Sequence, residues 1–504
     1  MRFFIRELKV LGAIFLSTFA YTTFKIYLLR RKYKHLPGPK TKGILEFYFG
    51  HYFTINKYLS QGNIIGQLQL QWSKEFGQVY VYQFLNEMVC ITNEEESIKT
   101  ILIDKNFPKK ENIYQIVAYP FGQRFMGKGL VTELNYEKWR QRRSFLNHCF
   151  KKSVLIESLN EFNSKGDILI EKLLKLSSED KSIQMLNEFS CMALDVIAKI
   201  AFDLNTNSIN DREMKLNKYI SLGFEAITML MNDPFSQLKP SKLNKIKEIK
   251  SSIVKLRKYS VEIFNQKIKD FEESNLASKT MLSTLLKHAK TSNQLDFETL
   301  IDDFITFFIA GQETTANALS FCIFELGQNE RVLKKLNEEV KTVLGQKTEI
   351  TNDDLNKLVY TTAVFKESMR KWPPVPAVNR RAPEDVLICD KLIPKNAWFY
   401  VPQFIIGRNE KYFPKPNEFI PERFISDDEF SKENRITSYT YFPFSLGPRN
   451  CIGQNFAMLE GRVILAKFIQ NFDFELDPNQ SLIIDEWTTL RPRDGVKVYL
   501  KPKF

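Results

Sequence analysis

Cys451 stands in the stretch FPFSLGPRNCIGQNFA, which starts at Phe442, two residues after Arg449 and two before Gly453. Glycines at 447 and 453 let the chain turn tightly there. A thiol on such a bend is either a free thiol or a ligand. The other cysteines (Cys90, Cys149, Cys191, Cys322, Cys389) are scattered, with no CxxC pair and no cysteine and histidine spacing of the kind zinc takes. So long a chain needs no disulfide staples, so reduced thiols in a reducing compartment are the simpler expectation.

Three further constellations carry chemistry. In AGQETT, Ala310 and Gly311 open a notch in a helical pattern, and glycine there costs about 1 kcal/mol relative to alanine, so something must approach closely. Glu313 followed by Thr314 and Thr315 could relay protons into a dry cavity. The alternative is a patch satisfied locally, with Thr314 bonded to a carbonyl one turn earlier. In ESMR, Glu367 and Arg370 share a helix face, and FIPERF adds Arg423 in an aromatic, proline-bounded segment. One acid shared by two arginines is a buried lock that serves packing specificity more than net stability. In WRQRR, Trp139 and Arg143 face the same way, and an indole N–H beside a guanidinium fork suits the edge of a dianionic group. A basic, solvent-facing helix with one buried tryptophan is the other reading.

The elements that must position these residues follow from pattern. At 504 residues and 43% hydrophobic content the chain can bury a large core. A net charge of +13 would suit an acidic partner, an anionic membrane surface or nucleic acid; it is spread diffusely and no nucleic-acid module is present, so it is read as support for an acidic protein partner. From Leu8 to Leu29, LKVLGAIFLSTFAYTTFKIYLL is mostly apolar and about 33 Å long as a helix, enough for a single span. Arg30, Arg31, Lys32 and Lys34 follow, so the positive-inside rule puts the bulk of the protein on the cytosolic side of a retained anchor. The organisation expected is an anchor over 1–29, a basic and proline-rich linker over 30–40, and one large domain over 41–504.

Within that domain, helices are predicted over 135–165, 182–203, 245–273, 297–328, 330–345 and 353–371, with hairpins over 78–92 and 386–401 and another at Asp494 and Gly495. The 297–328 helix is apolar nearly all round and should run through the interior. Its Glu298, Asp302 and Asp303 suit the positive helix start, with Asp296 as a cap. The fold class is mainly α with small β-sheets.

Phe444, Gly447, Arg449, Cys451 and Gly453 form F-x-x-G-x-R-x-C-x-G, which resembles the haem-binding loop of the cytochrome P450 monooxygenases. The family's W-x-x-x-R, A-G-x-E-T, E-x-x-R and P-E-R-F motifs are matched in the same order. The resemblance implies the P450 fold and a haem whose iron is bound by Cys451, with Phe444 shielding the thiolate and Gly453 allowing close approach. It implies that Trp139, Arg143, Arg380 and Arg449 hold the propionates, that Ala310 and Gly311 form the oxygen-binding groove, that Glu313 and Thr314 deliver protons, and that Glu367, Arg370 and Arg423 form a structural triad.

The reaction implied is insertion of one oxygen atom from O2 into an unactivated C–H bond of a lipophilic substrate. No GxGxxG follows a strand, so electrons should come from NADPH through a separate flavoprotein, NADPH-cytochrome P450 reductase. The setting implied is a monomer in contact with membrane lipid, single-pass in the endoplasmic reticulum with its catalytic domain on the cytosolic face. FMGKGLVTELNYEKWRQRR, IDDFITFFIAGQETTAN, TYFPFSLGPRNCIGQNFAMLE and TLRPRDGV are similar to the cholesterol 24-hydroxylases, which points to a sterol side chain. The alternatives are a fatty-acid or xenobiotic hydroxylase, a haem-thiolate isomerase or dehydratase needing no reductase, and a non-catalytic haem sensor.

Overall fold

The computed structural model describes residues 2–179, 181–211, 215–274, 281–284, 297–426, 428–433, 436–486 and 488–503; Asp296 lies outside them. The chain forms two compact units, Met1–Lys110 with Ala377–Ile405, and Glu111–Pro376 with Ile406–Phe504.

The first unit carries helix α1 (Arg2–Tyr33). Its Val10–Tyr33 part is, by length and composition, apolar enough to cross a membrane, and Val10, Leu11, Ile14, Phe15 and Leu16 are exposed. Strands β1 (Val79–Phe84) and β2 (Glu87–Thr92) pair antiparallel, giving the hairpin predicted over 78–92. The tight turn places Leu85 at φ 50°.

The second predicted hairpin divides differently. β5 (Val386–Ile388) pairs with β6 (Lys391–Ile393) through Cys389 and Asp390, both at positive φ. Pro394, which has no N–H to donate, ends that ladder. β7 (Trp398–Pro402) instead joins β2 in parallel and β4 (Ala377–Arg381) antiparallel, giving the order β1-β2-β7-β4. This pairing brings residues 377–405 back into the first unit.

The second unit is mainly helical. Its principal helices are α2 (Tyr136–Leu146), α3 (Leu159–Ser177), α4 (Met185–Phe202), α5 (Lys215–Asn232), α6 (Leu243–Ser274), α7 (Phe297–Gln328), α8 (Glu330–Leu344), α9 (Val359–Lys371) and α10 (Gln454–Asn471). The helix predicted over 135–165 breaks after Leu146, where the Asn147 side chain accepts from Arg143 and Lys151 turns extended. The one predicted over 353–371 is interrupted at Leu358 (ψ 63°), between a short helix capped by Thr351 and Asp354 and α9.

Asp494 and Gly495 do make a turn, with the Gly495 N–H on the Pro492 carbonyl at 3.1 Å. Its flanking strands diverge into two sheets. β10 (Leu490–Pro492) pairs with β9 (Ile484–Glu486), while β11 (Lys497–Pro502) pairs with β3 (Ile183–Gln184) and β8 (Phe472–Leu476).

α7 is the axis of this unit. Phe202 of α4 meets Phe304 and Phe308 of α7 at ring distances of 4.5 and 5.0 Å, and Phe264 of α6 meets Phe304 at 5.9 Å. A Cβ on Gly311 would stand 2.8–3.2 Å from the Ile197 side chain, so the missing methyl lets α4 lie close against α7. The notch expected beside Gly311 is filled by the protein itself. From Thr299 to Leu326 every residue of α7 is buried except Ala310, Gly311 and Thr314, which are half-buried.

Candidate functional site

The segment before α10 folds back on itself. The Ser445 N–H reaches the Phe442 carbonyl at 2.8 Å, Asn450 N–H the Gly447 carbonyl at 3.1 Å, and Cys451 N–H the Phe444 carbonyl at 2.8 Å. Ser445 and Gly447 take φ of 61° and 72°; for serine that left-handed conformation is uncommon. The turn delivers Cys451 just before the N-terminus of α10, where the partial positive end of a helix favours a thiolate. Burial pushes the thiol's pKa up, while the Gly453 amide and the Arg143 cation act the other way. The residue nonetheless keeps an exposed face. A Cβ on Gly453 would make only ordinary contact with the sulfur, at 3.8 Å, so the protein's own packing does not require glycine there. Phe444 is partly buried against the core.

α2 brings a second set to this loop. Its N-cap Asn135 accepts the Lys138 amide at 3.0 Å, and one turn on, Trp139 is buried. The Arg449 guanidinium lies 4.2 Å from the Trp139 ring and 5.5 Å from Tyr136, and donates to the Glu133 carbonyl at 2.9 Å. Arg143 donates to the Asn450 carbonyl at 2.7 Å and to its side-chain oxygen at 2.9 Å. No carboxylate pairs with Arg143 among the described residues, and burial lowers its pKa.

Arg380 lies in β4 of the first unit. It is buried, donates to the Asn379 carbonyl at 3.0 Å, and has no hydrogen-bond partner for its Nε. A buried guanidinium without an acid is costly unless an anion completes it.

In the middle of α7 the Thr314 hydroxyl donates to the Ala310 carbonyl at 2.7 Å, the local bond that was one of the two expectations. Glu313 is buried and accepts from Asn317 at 3.2 Å and from Thr489 at 3.4 Å. Gln312 donates to Asn217 of α5 at 2.8 Å. Thr489 was not singled out in the sequence; a lone hydroxyl before β10 gives no signal.

The lock is formed as expected. Glu367 takes Arg370 at 2.7 and 2.8 Å, Arg423 at 3.3 Å and the Ile420 amide at 2.9 Å, and all three charged side chains are fully buried. Arg370 also donates to the carbonyls of Gly407, Pro416 and Glu418, which staples the chain that leads to the cysteine loop. The adjacent Glu422 binds Arg331, Lys335 and Tyr360.

Sequence reasoning overlooked Arg142. It is buried, binds Asp303 at 3.0 Å and Glu133 at 3.0 Å, and thereby braces the carbonyl that holds Arg449. The signal was available, because acids in an apolar helix demand cations from elsewhere.

These residues suit a thiolate-ligated haem. A soft sulfur with an open face, a guanidinium at Arg143 with no carboxylate partner among the described residues, and a small half-buried patch on an otherwise buried helix are what a flat dianionic macrocycle requires.

The comparisons with known proteins agree. Residues 41–500 match the cytochrome P450 family model. The chain is 28% identical to cytochrome P450 4d2 of Drosophila melanogaster, over 98% of this chain and 100% of that protein. It is 29% identical to cytochrome P450 3A28 of Bos taurus, over 87% of this chain and 85% of that one. It is also 29% identical to cytochrome P450 3A7 of Homo sapiens, over 80% of each. The names of these relatives lend no support to a sterol side-chain specificity.

Proposed function

Since the chain belongs to the cytochrome P450 family, and so is a haem monooxygenase supplied with electrons from NADPH through a reductase, we propose that it hydroxylates an unactivated C–H bond of a membrane-borne lipophile, with a sterol side chain as the first class to test. The observation that carries this reading is the interruption of burial at Ala310, Gly311 and Thr314, where α7 offers small, half-open residues beside one hydroxyl.

Haem bound through Cys451 supplies the activation of O2 and cleavage of its O–O bond. The protein fixes the Cys451 backbone through its N–H on the Phe444 carbonyl, turns the Gly453 amide to the sulfur, and keeps Arg449 aimed by stacking it on Trp139. Arg143 and Arg449 are the propionate donors we assign. Ala310 leaves space for oxygen, whereas Gly311 serves by letting Ile197 close the far side of the helix.

The Thr314 hydroxyl donates to Ala310 and so presents its lone pairs to accept a hydrogen bond. Glu313, next to it in sequence and held by donors from Asn317 and Thr489, is the proton-delivering group we assign. Apolar packing along α7 excludes water. We assign α1 as a single-pass anchor in the endoplasmic reticulum, with Arg30, Arg31 and Lys32 at its cytosolic end, and the working state as a monomer.

The test is a cholesterol titration of the purified holoprotein, followed by the Soret band. A saturable shift from low to high spin supports a sterol. A silent Soret band discards the sterol, and the same titration with a fatty acid and a drug-sized xenobiotic follows. Product that forms without reductase would point instead to an isomerase or dehydratase.

A further inference from the structure

The first turns of α7 carry Glu298, Asp302 and Asp303, and the helix dipole does not exhaust their use. Asp302 is completely buried. It accepts Arg124 at 2.7 Å, with further contacts at 3.1 and 3.2 Å, Arg257 of α6 at 2.8 Å, and the Lys128 amide at 2.7 Å. Glu298, half exposed, bridges the same two arginines, meeting Arg124 at 3.2 Å and also Arg257. One buried and one exposed acid on α7 therefore join two cations that arrive on different elements.

The segment carrying Arg124 lies flush on α7. A Cβ on Gly127 (φ 49°) would come within 2.2–2.3 Å of the Asp302 carboxylate, and one on Gly129 within 2.0 Å of the Thr306 hydroxyl. Outside this seam lies a groove whose lining includes Gln123, Arg124, Ile253, Val254, Arg257 and Lys258, with about 480 Å³ of space. Inside it, α5, α6 and α7 are packed by Leu216, Ile220, Leu256, Phe304 and Phe308, with only about 10 Å³ between them. A lipophile cannot pass there without separating these elements. At the seam beside that packed core, α6 and the 123–130 segment are bound to α7 through charges, one of them half exposed.

We propose that Arg124 and Arg257, gripping Asp302 and Glu298, form a latch that sets how fast ligands enter and leave the haem side of α7. The proposal rests on the reading above, that Ala310 and Thr314 face the haem. Opening the latch replaces ion pairs with water at Glu298 and the two arginines, and salt weakens the exposed part of the grip. Asp302 keeps Arg124 and the Lys128 amide when Arg257 is lost, so Arg257→Gln leaves no orphaned buried acid.

The experiment is stopped-flow binding to the full-length holoprotein, read by the red shift of the Soret band, with two imidazole probes. Clotrimazole is bulky and must part the seam; imidazole itself is small. For Arg257→Gln, association and dissociation of clotrimazole should both accelerate by about three- to tenfold with little change in their ratio, while imidazole rates stay within about twofold. Raising KCl from about 0.05 to about 1 M should accelerate clotrimazole in the parent protein, and less so in the variant, which keeps only the Arg124–Glu298 half of the exposed grip. Glu298→Gln, at a half-exposed position, should move the rates in the same direction by a smaller factor. Unchanged clotrimazole rates in both variants, or an equal acceleration of imidazole, overturn the latch. A parent protein whose Soret band ignores imidazole overturns the haem reading itself, and the latch with it.

Discussion

The lock at Glu367 and the loop at Cys451 belong to the same unit and are both built from charged or soft groups in a packed setting, yet they end differently. Glu367 accepts four donors from Arg370, Arg423 and the Ile420 amide, and neither it nor its arginines touch solvent. Around Cys451 the holding contacts are equally specific, but the sulfur keeps an open face and Arg143 has only amide and carbonyl oxygens. The first cluster is complete in itself. The second is held in place with bonding capacity left over, and that surplus separates a binding site from a structural polar cluster.

The largest effect that could break this contrast is at the sulfur. Cys451→Ala should abolish the thiolate-type absorption of the reduced carbon monoxide complex while leaving the fold intact; an unchanged spectrum would place the ligand elsewhere. Next comes the lock. Glu367→Gln leaves the buried Arg370 and Arg423 without their acid and should cost about 3–5 kcal/mol in urea or thermal unfolding. A loss below about 1 kcal/mol would mean that the cluster is no more than a surface-grade pair.

Thr314→Ala sharpens the contrast on the open side. Stability should change by less than about 1 kcal/mol, because the lost bond is a local one to Ala310. Product formed per NADPH consumed should fall by about tenfold or more; preserved coupling would sink the proton role of this hydroxyl.

The smallest effect concerns Glu422, next to Arg423. Burial alone would raise its pKa, but Arg331 and Lys335 hold it down to about 2 from an ordinary 4.5. A depressed carboxylate pKa stabilises the fold above the ordinary value and loses that contribution as pH falls from about 4.5 toward 2. Glu422→Gln should therefore flatten that part of the acid limb of the melting curve, and an identical limb would assign the acid sensitivity to other groups.

Much of the frame was legible in the chain itself. The helix expected over 297–328 is α7 to the residue, because an unbroken apolar rod has few other ways to be satisfied. The lock could be read because an acid and a base three apart on a helix already face the same way. What could not be read depends on partners from afar. The notch at Gly311 was visible, but its occupant, Ile197, comes from α4. Arg142 and Arg143 are neighbours that diverge by about 100° around α2, one to Asp303 and the other to Asn450. β7 pairs with β2 rather than completing the hairpin that its local pattern suggests. In each case the local pattern gave the residue its capacity, and packing chose the partner.

The Cys451 loop is braced by residues far away along the chain. Arg143 and Asn450 are separated by 307 positions, and Glu133 and Arg449 by 316. At about 5–20 residues per second, a ribosome takes roughly 15–60 s to travel between the two halves of this cradle. α1 has left the ribosome long before the cysteine is even translated. The contacts that brace this loop are thus among the last the fold can close, and Trp139, Arg143 and the Glu133 carbonyl are made long before the loop they hold.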